Sequence, residues 1–137
     1  MRAPLKILIV DDLASMREEF IGMCHEYYPD AMVDQASDVM EAMEYLRKVY
    51  PPYDVVFTDV NMPTVSGLKL IPLLRNLEAY GNTPVIVLST ITARADIGRA
   101  LQLGANAYLT RPYAREYFEI IHLAYLSPIA ERKSHKG

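Results

Sequence analysis

Tyr53-Asp54-Val55-Val56-Phe57-Thr58-Asp59-Val60-Asn61-Met62-Pro63 is the stretch on which the reading of this chain turns. Its run into Asp59 is short, apolar and rich in β-branched and aromatic residues, which is the pattern of a buried strand. The Asp59 carboxylate therefore stands at the carboxyl end of that strand, just before a turn marked by Pro63. A second acidic site, Asp11-Asp12, ends the first apolar run, Leu5-Lys6-Ile7-Leu8-Ile9-Val10. Ligands of open α/β sheets gather outside the carboxyl ends of the strands. Carboxylates brought together there repel one another unless a cation or protons intervene. Convergent oxygens from two strand ends describe a site for a small hard cation, Mg²⁺ first among them.

Outward from this strand the same alternation repeats. Strand one, Leu5 to Val10, precedes a helix over Ala14–Tyr27, with Met16, Phe20, Met23, Cys24 and Tyr27 on one face at spacings of three and four. Ala31–Ala36 reads as a less apolar edge strand. Ser37 or Asp38 can cap the second helix, whose inner stripe is Val39, Ala42, Met43 and Leu46. After the Asp59 strand, a third helix is predicted over Ser66–Tyr80 with a C-cap signal at Gly81-Asn82. Pro72 is tolerable if that helix starts near Leu68 and implies a kink otherwise. Thr83–Ser89 is a fourth strand, apolar enough to be covered on both faces. A helix over Ala93–Leu103 stopping at Gly104, a strand over Asn106–Thr110 and a helix over Ala114–Leu126 complete the chain.

Strict β-α alternation implies a parallel sheet with right-handed crossovers and helices on both faces. Five such units suit a doubly wound, flavodoxin-like sheet of order 2-1-3-4-5. That order makes strands one and three neighbours and sets Asp11 and Asp12 beside Asp59. Residues 1–126 are read as one domain and 127–137 as a polar tail or the start of a linker, with Ser127-Pro128 breaking the last helix.

The 137 residues suffice for one full core, and 51% hydrophobic with 23% charged residues is ordinary for a globular domain. Net charge −3 argues against nucleic-acid binding, because phosphate neutralisation needs a basic patch. The basic run Arg132-Lys133-Ser134-His135-Lys136 reads as a solvated end. No apolar run approaches the ~20 residues of a membrane span. Met1-Arg2-Ala3-Pro4 leaves no room for a signal peptide before strand one. A lone Cys24 is read as a helix core residue, and together these features lead to a cytoplasmic expectation. His25, His122 and His135 match no metal-ligand spacing, and the seven methionines are read mostly as core filler on helix faces.

Taken in order, Ile9-Val10-Asp11-Asp12, Phe57-Thr58-Asp59 with Met62-Pro63 and Gly67, Pro84 to Ser89, and Gly104 to Tyr113 resemble the receiver domain of two-component response regulators. The resemblance implies that Asp59 accepts a phosphoryl group from a phosphohistidine on a sensor histidine kinase or phosphotransfer protein. It implies that Asp12, Asp59 and the Asn61 carbonyl bind Mg²⁺, with Asp11 acting through metal-bound water. Ser89 matches the hydroxyl that bonds a phosphoryl oxygen, and Tyr108 the aromatic that turns inward with it. The face of helix four, strand five and helix five would carry the output to a downstream protein or a weak homodimer. Ile97 or Arg94, Tyr108, Arg115 and Glu119 would lie on that face. The resemblance implies a signalling domain rather than an enzyme, with slow self-dephosphorylation at most.

Arg111 departs from the pattern, since lysine is usual before the proline of this motif. A guanidinium is longer, planar and forked. It can pair with a carboxylate or a phosphate, but not from the place an ammonium would occupy. Thr90, often a small residue in the family, would narrow access to Asp59. Two other readings stand beside this one. A pseudo-receiver would keep the fold, with Arg111 freezing it into a phosphorylation-independent interaction module. A haloacid-dehalogenase-type phosphatase also uses an aspartyl phosphate, but it wants a second Asp where Asn61 stands, and its motif sits on the first strand. Whether an output domain follows Gly137 stays open at this point.

Overall fold

The computed structural model describes residues 4–62, 65–89, 94–111, 113 and 115–129, with Arg94 and Arg115 described by their backbone alone. Expectations resting on Pro63, Thr90, Pro112 and the Arg132–Lys136 run lie outside these residues.

Five parallel strands, β1 (Lys6–Val10), β2 (Met32–Ala36), β3 (Val55–Asp59), β4 (Val85–Ser89) and β5 (Ala107–Thr110), form one sheet in the order β2-β1-β3-β4-β5. They alternate with α1 (Ala14–Tyr27), α2 (Val39–Lys48), α3 (Leu70–Arg75), α4 (Arg94–Leu103) and α5 (Arg115–Ile121). The order is the one expected, and its reason is visible in the strands. β3 and β4 are buried at every position, whereas β2 and β5 at the sheet edges are largely half-buried.

Alternate strand residues point to opposite faces, and the two faces build separate cores. Leu8, Val10, Val56, Val85 and Val87 pack with Ala42, Met43 and Leu46 of α2 and Leu70, Ile71 and Leu74 of α3. Ile7, Ile9, Val55, Phe57, Ile86 and Leu88 pack with Phe20 and Cys24 of α1 and Phe118 and Ile121 of α5. The α2 stripe is buried as its spacing predicts, and Asp38 is the cap, its carboxylate accepting the Glu41 N–H at 2.7 Å. Burial pushes the Cys24 thiol up to about 12, as befits an inert core residue.

Four expectations are corrected. The third helix is not continuous over Ser66–Tyr80: a 3₁₀ turn at Gly67–Lys69 leads into α3, and a second one at Glu78–Tyr80 follows a break. Pro72 falls in the first turn of α3, where no intrahelical N–H partner is required. Gly81 makes no left-handed cap (φ −58°), and the left-handed glycine is Gly104 (φ 113°) after α4. The last helix neither closes regularly nor breaks at Ser127-Pro128. It widens to a π turn at His122–Leu126 and residues 127–129 remain helical. Two methionines are not core filler, since Met32 and Met40 are exposed.

Arg75 ties the base of the sheet together. Its guanidinium donates to the carbonyls of Tyr80, Thr83 and Gly104 and to Asn106 Oδ1, at 2.6–3.0 Å. The ends of α3 and α4 and the starts of β4 and β5 are thereby joined, leaving the opposite, carboxyl edge of the sheet for the acidic residues.

Candidate functional site

The strand register brings the acidic residues level. Val10 of β1 pairs with Thr58 of β3, so Asp11, one residue on, stands beside Asp59. Asp59 in turn pairs with Leu88, and Ser89 with Thr110 of β5, which carries Arg111 to the same edge. The Arg111 N–H donates to the Ser89 carbonyl at 3.0 Å, extending the ladder one residue beyond β5.

Asp11, Asp12 and Asp59 offer carboxylate oxygens that all lie within 4.8 Å of one another. Asp11 and Asp59 are buried, and Asp12 is half-buried at the mouth. Asp59 Oδ1 accepts the Val60 N–H at 2.8 Å. Burial and, second, the charge of Asp11 push its carboxyl up to about 6, against the opposing pull of Arg111 and the Val60 and Asn61 amides. An all-oxygen, mutually repelling cluster open at one residue suits a hard divalent cation, which would relieve that repulsion directly.

The backbone beneath Asp59 is fixed by Gly67. Its N–H donates to the Val60 carbonyl at 2.9 Å. A Cβ at Gly67 would lie 1.7 Å from the Asp59 carbonyl oxygen, so only glycine fits here. The sequence marks this glycine, and the close approach to the strand end gives it a reason.

Arg111 reaches the site, but its ion pair is with Asp11 (Nη2 to Oδ2, 2.5 Å) and not with Asp59. The other oxygen of Asp11 accepts the Leu13 N–H at 3.0 Å, and its backbone carbonyl accepts Arg17 Nη1 at 2.6 Å. Arg17 also donates through Nε to Gln35 Oε1 at 3.0 Å. Burial works against the Arg111 charge, but Tyr113, Asp11 and Asp59 outweigh it and hold the pKa above its ordinary value.

Of the other expected residues, Ser89 is fully buried at the end of β4. Tyr108 is half-buried and packs against the α2–α3 core. Asn61 is exposed two residues after Asp59. On the proposed output face Ile97 is half-buried and Glu119 exposed, while the Arg94 and Arg115 side chains lie outside the described residues. Sequence reasoning missed Arg17 and Tyr113. Arg17, on the first turn of α1 and facing β2, carried a faint signal in its spacing from Asp11; Tyr113, two residues beyond Arg111, carried none beyond its motif.

Comparison with known proteins follows the same lines. A family model described as the response regulator receiver domain matches residues 7–121. A protein-glutamate methylesterase/protein-glutamine glutaminase of Anaeromyxobacter dehalogenans is 36% identical over 111 residues, covering 81% of this chain but 30% of that protein. A chemotaxis protein CheY homologue of Campylobacter jejuni is 31% identical over 109 residues, covering 80% of this chain and 82% of that one. The structure of CheY4 from Vibrio cholerae superposes with a TM-score of 0.80 at 28% identity, covering 90% of this chain and 100% of that one. The phosphorylated cyanobacterial phytochrome response regulator RcpA does so with a TM-score of 0.78 at 27% identity, covering 92% and 96%. No helix among the described residues is long and apolar enough to cross a membrane.

Proposed function

The chain belongs to the response regulator receiver domain family, a family of signalling domains, and we propose that it is a phosphoacceptor switch in which Asp59 takes a phosphoryl group from a phosphohistidine. The donor would be a sensor histidine kinase or a phosphotransfer protein, and the readout a change in association with a downstream protein or with a second copy. The observation that carries this reading is the convergence of Asp11, Asp12 and Asp59 within 4.8 Å, with the guanidinium of Arg111 on Asp11 and not on Asp59.

A carboxylate can serve as the nucleophile in such a transfer. An Asp59 oxygen forms the new O–P bond as the P–N bond to the donor imidazole breaks, and the departing nitrogen keeps the electron pair and takes up a proton. The hydrogen bond from the Val60 N–H to Oδ1 holds the carboxylate in one orientation for this approach. Asp12, Asp59 and the Asn61 carbonyl would hold Mg²⁺, with Asp11 reaching it through water. When bound, the ion neutralises phosphoryl oxygens as charge moves. Ser89, at the neighbouring strand end, would donate its hydroxyl to the phosphoryl group, and Tyr108, half-buried on β5, would respond by moving inward.

A second reading has one observation in its favour. The part-buried Arg111–Asp11 pair is a contact able to hold the domain in one state, as a pseudo-receiver would require. Incubation with phosphoramidate and Mg²⁺, read by intact mass, separates the two. The phosphoacceptor reading expects one phosphoryl group per chain in the native protein and none in Asp59→Asn. A native protein left unmodified would favour the pseudo-receiver.

A further inference from the structure

Two buried polar atoms beside the acidic site have no hydrogen-bond partner among the described residues: Nε of Arg111 and the hydroxyl of Tyr113. They are chemically complementary, because a guanidine N–H can only donate and a phenol oxygen can accept. They also belong to side chains already in contact, the Arg111 guanidinium carbon lying 5.5 Å from the centroid of the Tyr113 ring. Buried donors and acceptors are rarely left unmade in folded proteins, so a neighbouring pair of this kind calls for an account.

The ring of Tyr113 is itself held. It meets Phe20 of α1 edge-on at 5.7 Å, and Phe20 packs against Phe57 at 4.7 Å and Phe118 at 5.4 Å. Phe57 stands two residues before Asp59 on β3. The aromatic chain therefore anchors Tyr113 to the strand that carries the nucleophile, while the far end of the guanidinium rests on Asp11 at 2.5 Å.

Resting on the phosphoacceptor reading, we propose that Tyr113 is the positioning residue for Arg111: its ring bears the guanidinium and its hydroxyl takes the Nε–H, clamping the fork between Asp11 and Tyr113 so that Asp59 stays uncovered. The contact closes by a slight approach of the two groups or through one bridging water. The need for such a clamp follows from the residue at 111. Arginine is long and rotamer-rich, and the other anion within its electrostatic reach is Asp59, which already feels its charge. A fork on Asp59 would occupy the oxygens that a phosphoryl donor must meet. The bland alternative is an aromatic core residue with an idle hydroxyl, and it predicts that removing the hydroxyl changes nothing at the site.

Tyr113→Phe keeps the ring and removes the hydroxyl, and it is compared in the native background and with Arg111→Lys. The first readout is the exchange rate of the Arg111 Nε–Hε proton by NMR. The second is the beryllofluoride concentration that half-saturates Asp59 in Mg²⁺. In the native background the clamp requires Hε exchange to accelerate about tenfold or more and half-saturation to rise about three- to tenfold, as for coupled neighbours. On Arg111→Lys, which has no Nε–H to clamp, Tyr113→Phe should move half-saturation by less than about twofold. Unchanged Hε exchange, or the same shift in both backgrounds, overturns the proposal. A native protein that takes no beryllofluoride would remove the phosphoacceptor reading instead, and the Hε exchange would still judge the clamp.

Discussion

Replacing Gly67 by alanine adds one methyl group at the point where the chain turns beneath Asp59, and the structure fixes what that methyl would meet. The new Cβ would lie 1.7 Å from the Asp59 carbonyl oxygen, 2.8 Å from its carbonyl carbon and 3.0 Å from Thr58 Oγ1. The first two contacts are with backbone, so no rotamer change relieves them. The 3₁₀ turn or the end of β3 must shift to make room, in a region where Leu68, Leu70 and Ile71 are packed. Overpacking of this kind costs about 1–3 kcal/mol, and strain on the Gly67 N–H to Val60 carbonyl bond adds about 1 kcal/mol. The expected loss is about 2–4 kcal/mol, a large share of the ~5–15 kcal/mol that holds a domain of this size. Gly22 is the internal control. It lies exposed within α1, and a methyl group there would meet nothing within 4 Å. Gly22→Ala should therefore stabilise by about 0.5–1 kcal/mol through helix propensity. Urea unfolding of both variants, with unchanged slope, measures the difference. A Gly67→Ala protein within about 0.5 kcal/mol of native, or equal losses in the two variants, would refute the packing argument.

Three further outcomes follow from the site. Asp59 has its pKa raised from 3.8 to about 6, so the unfolded chain binds fewer protons than the folded one in that window, and stability from this group is full below it and lost as pH rises through it. Asp59→Asn should therefore stabilise the protein by about 1–2 kcal/mol at pH 7, allowing for solvent screening at the mouth, with the gain vanishing below about pH 4 in unfolding curves taken across pH. Mg²⁺ should raise the melting temperature by linkage, and Asp12→Ala should abolish that rise; a rise that persists would place the ion elsewhere. Association through the α4–β5–α5 face should be weak, stronger with beryllofluoride and reduced by salt in light scattering, because exposed ion pairs contribute little each. A monomer under every condition would leave a heterologous partner as the output.

The sheet and its acidic edge were legible because each strand carries its own apolar run and the topology follows from the alternation. Asp11, Asp12 and Asp59 meet because the strand order makes β1 and β3 neighbours and Val10 pairs with Thr58. The α2 stripe was legible for the same local reason. The third helix was not, because its form is set at a distance: Gly67 has to fit beneath the Asp59 carbonyl, and Leu77 turns extended (φ −80°, ψ 128°) between the helical pieces. The π turn after Ile121 likewise accompanies tertiary contacts, Tyr28 with His122 and Tyr125 with the Asn106 carbonyl at 2.7 Å. Which anion Arg111 would choose was also beyond the sequence: the strand order sets Asp59 on β3 nearer to β5 than Asp11 after β1, yet the ion pair forms with Asp11. The choice appears only with the side chains placed, and Tyr113 gained meaning only beside it.

The central claim is that Asp59 alone receives the phosphoryl group. Its most direct test is to phosphorylate the native chain with phosphoramidate and Mg²⁺, reduce the acyl phosphate with borohydride and locate the reduced residue by peptide mass spectrometry. A single reduced position is expected, Asp59, with Asp11, Asp12 and Asp54 unmodified. Reduction at any other carboxylate, or a label that persists in Asp59→Asn, would contradict it.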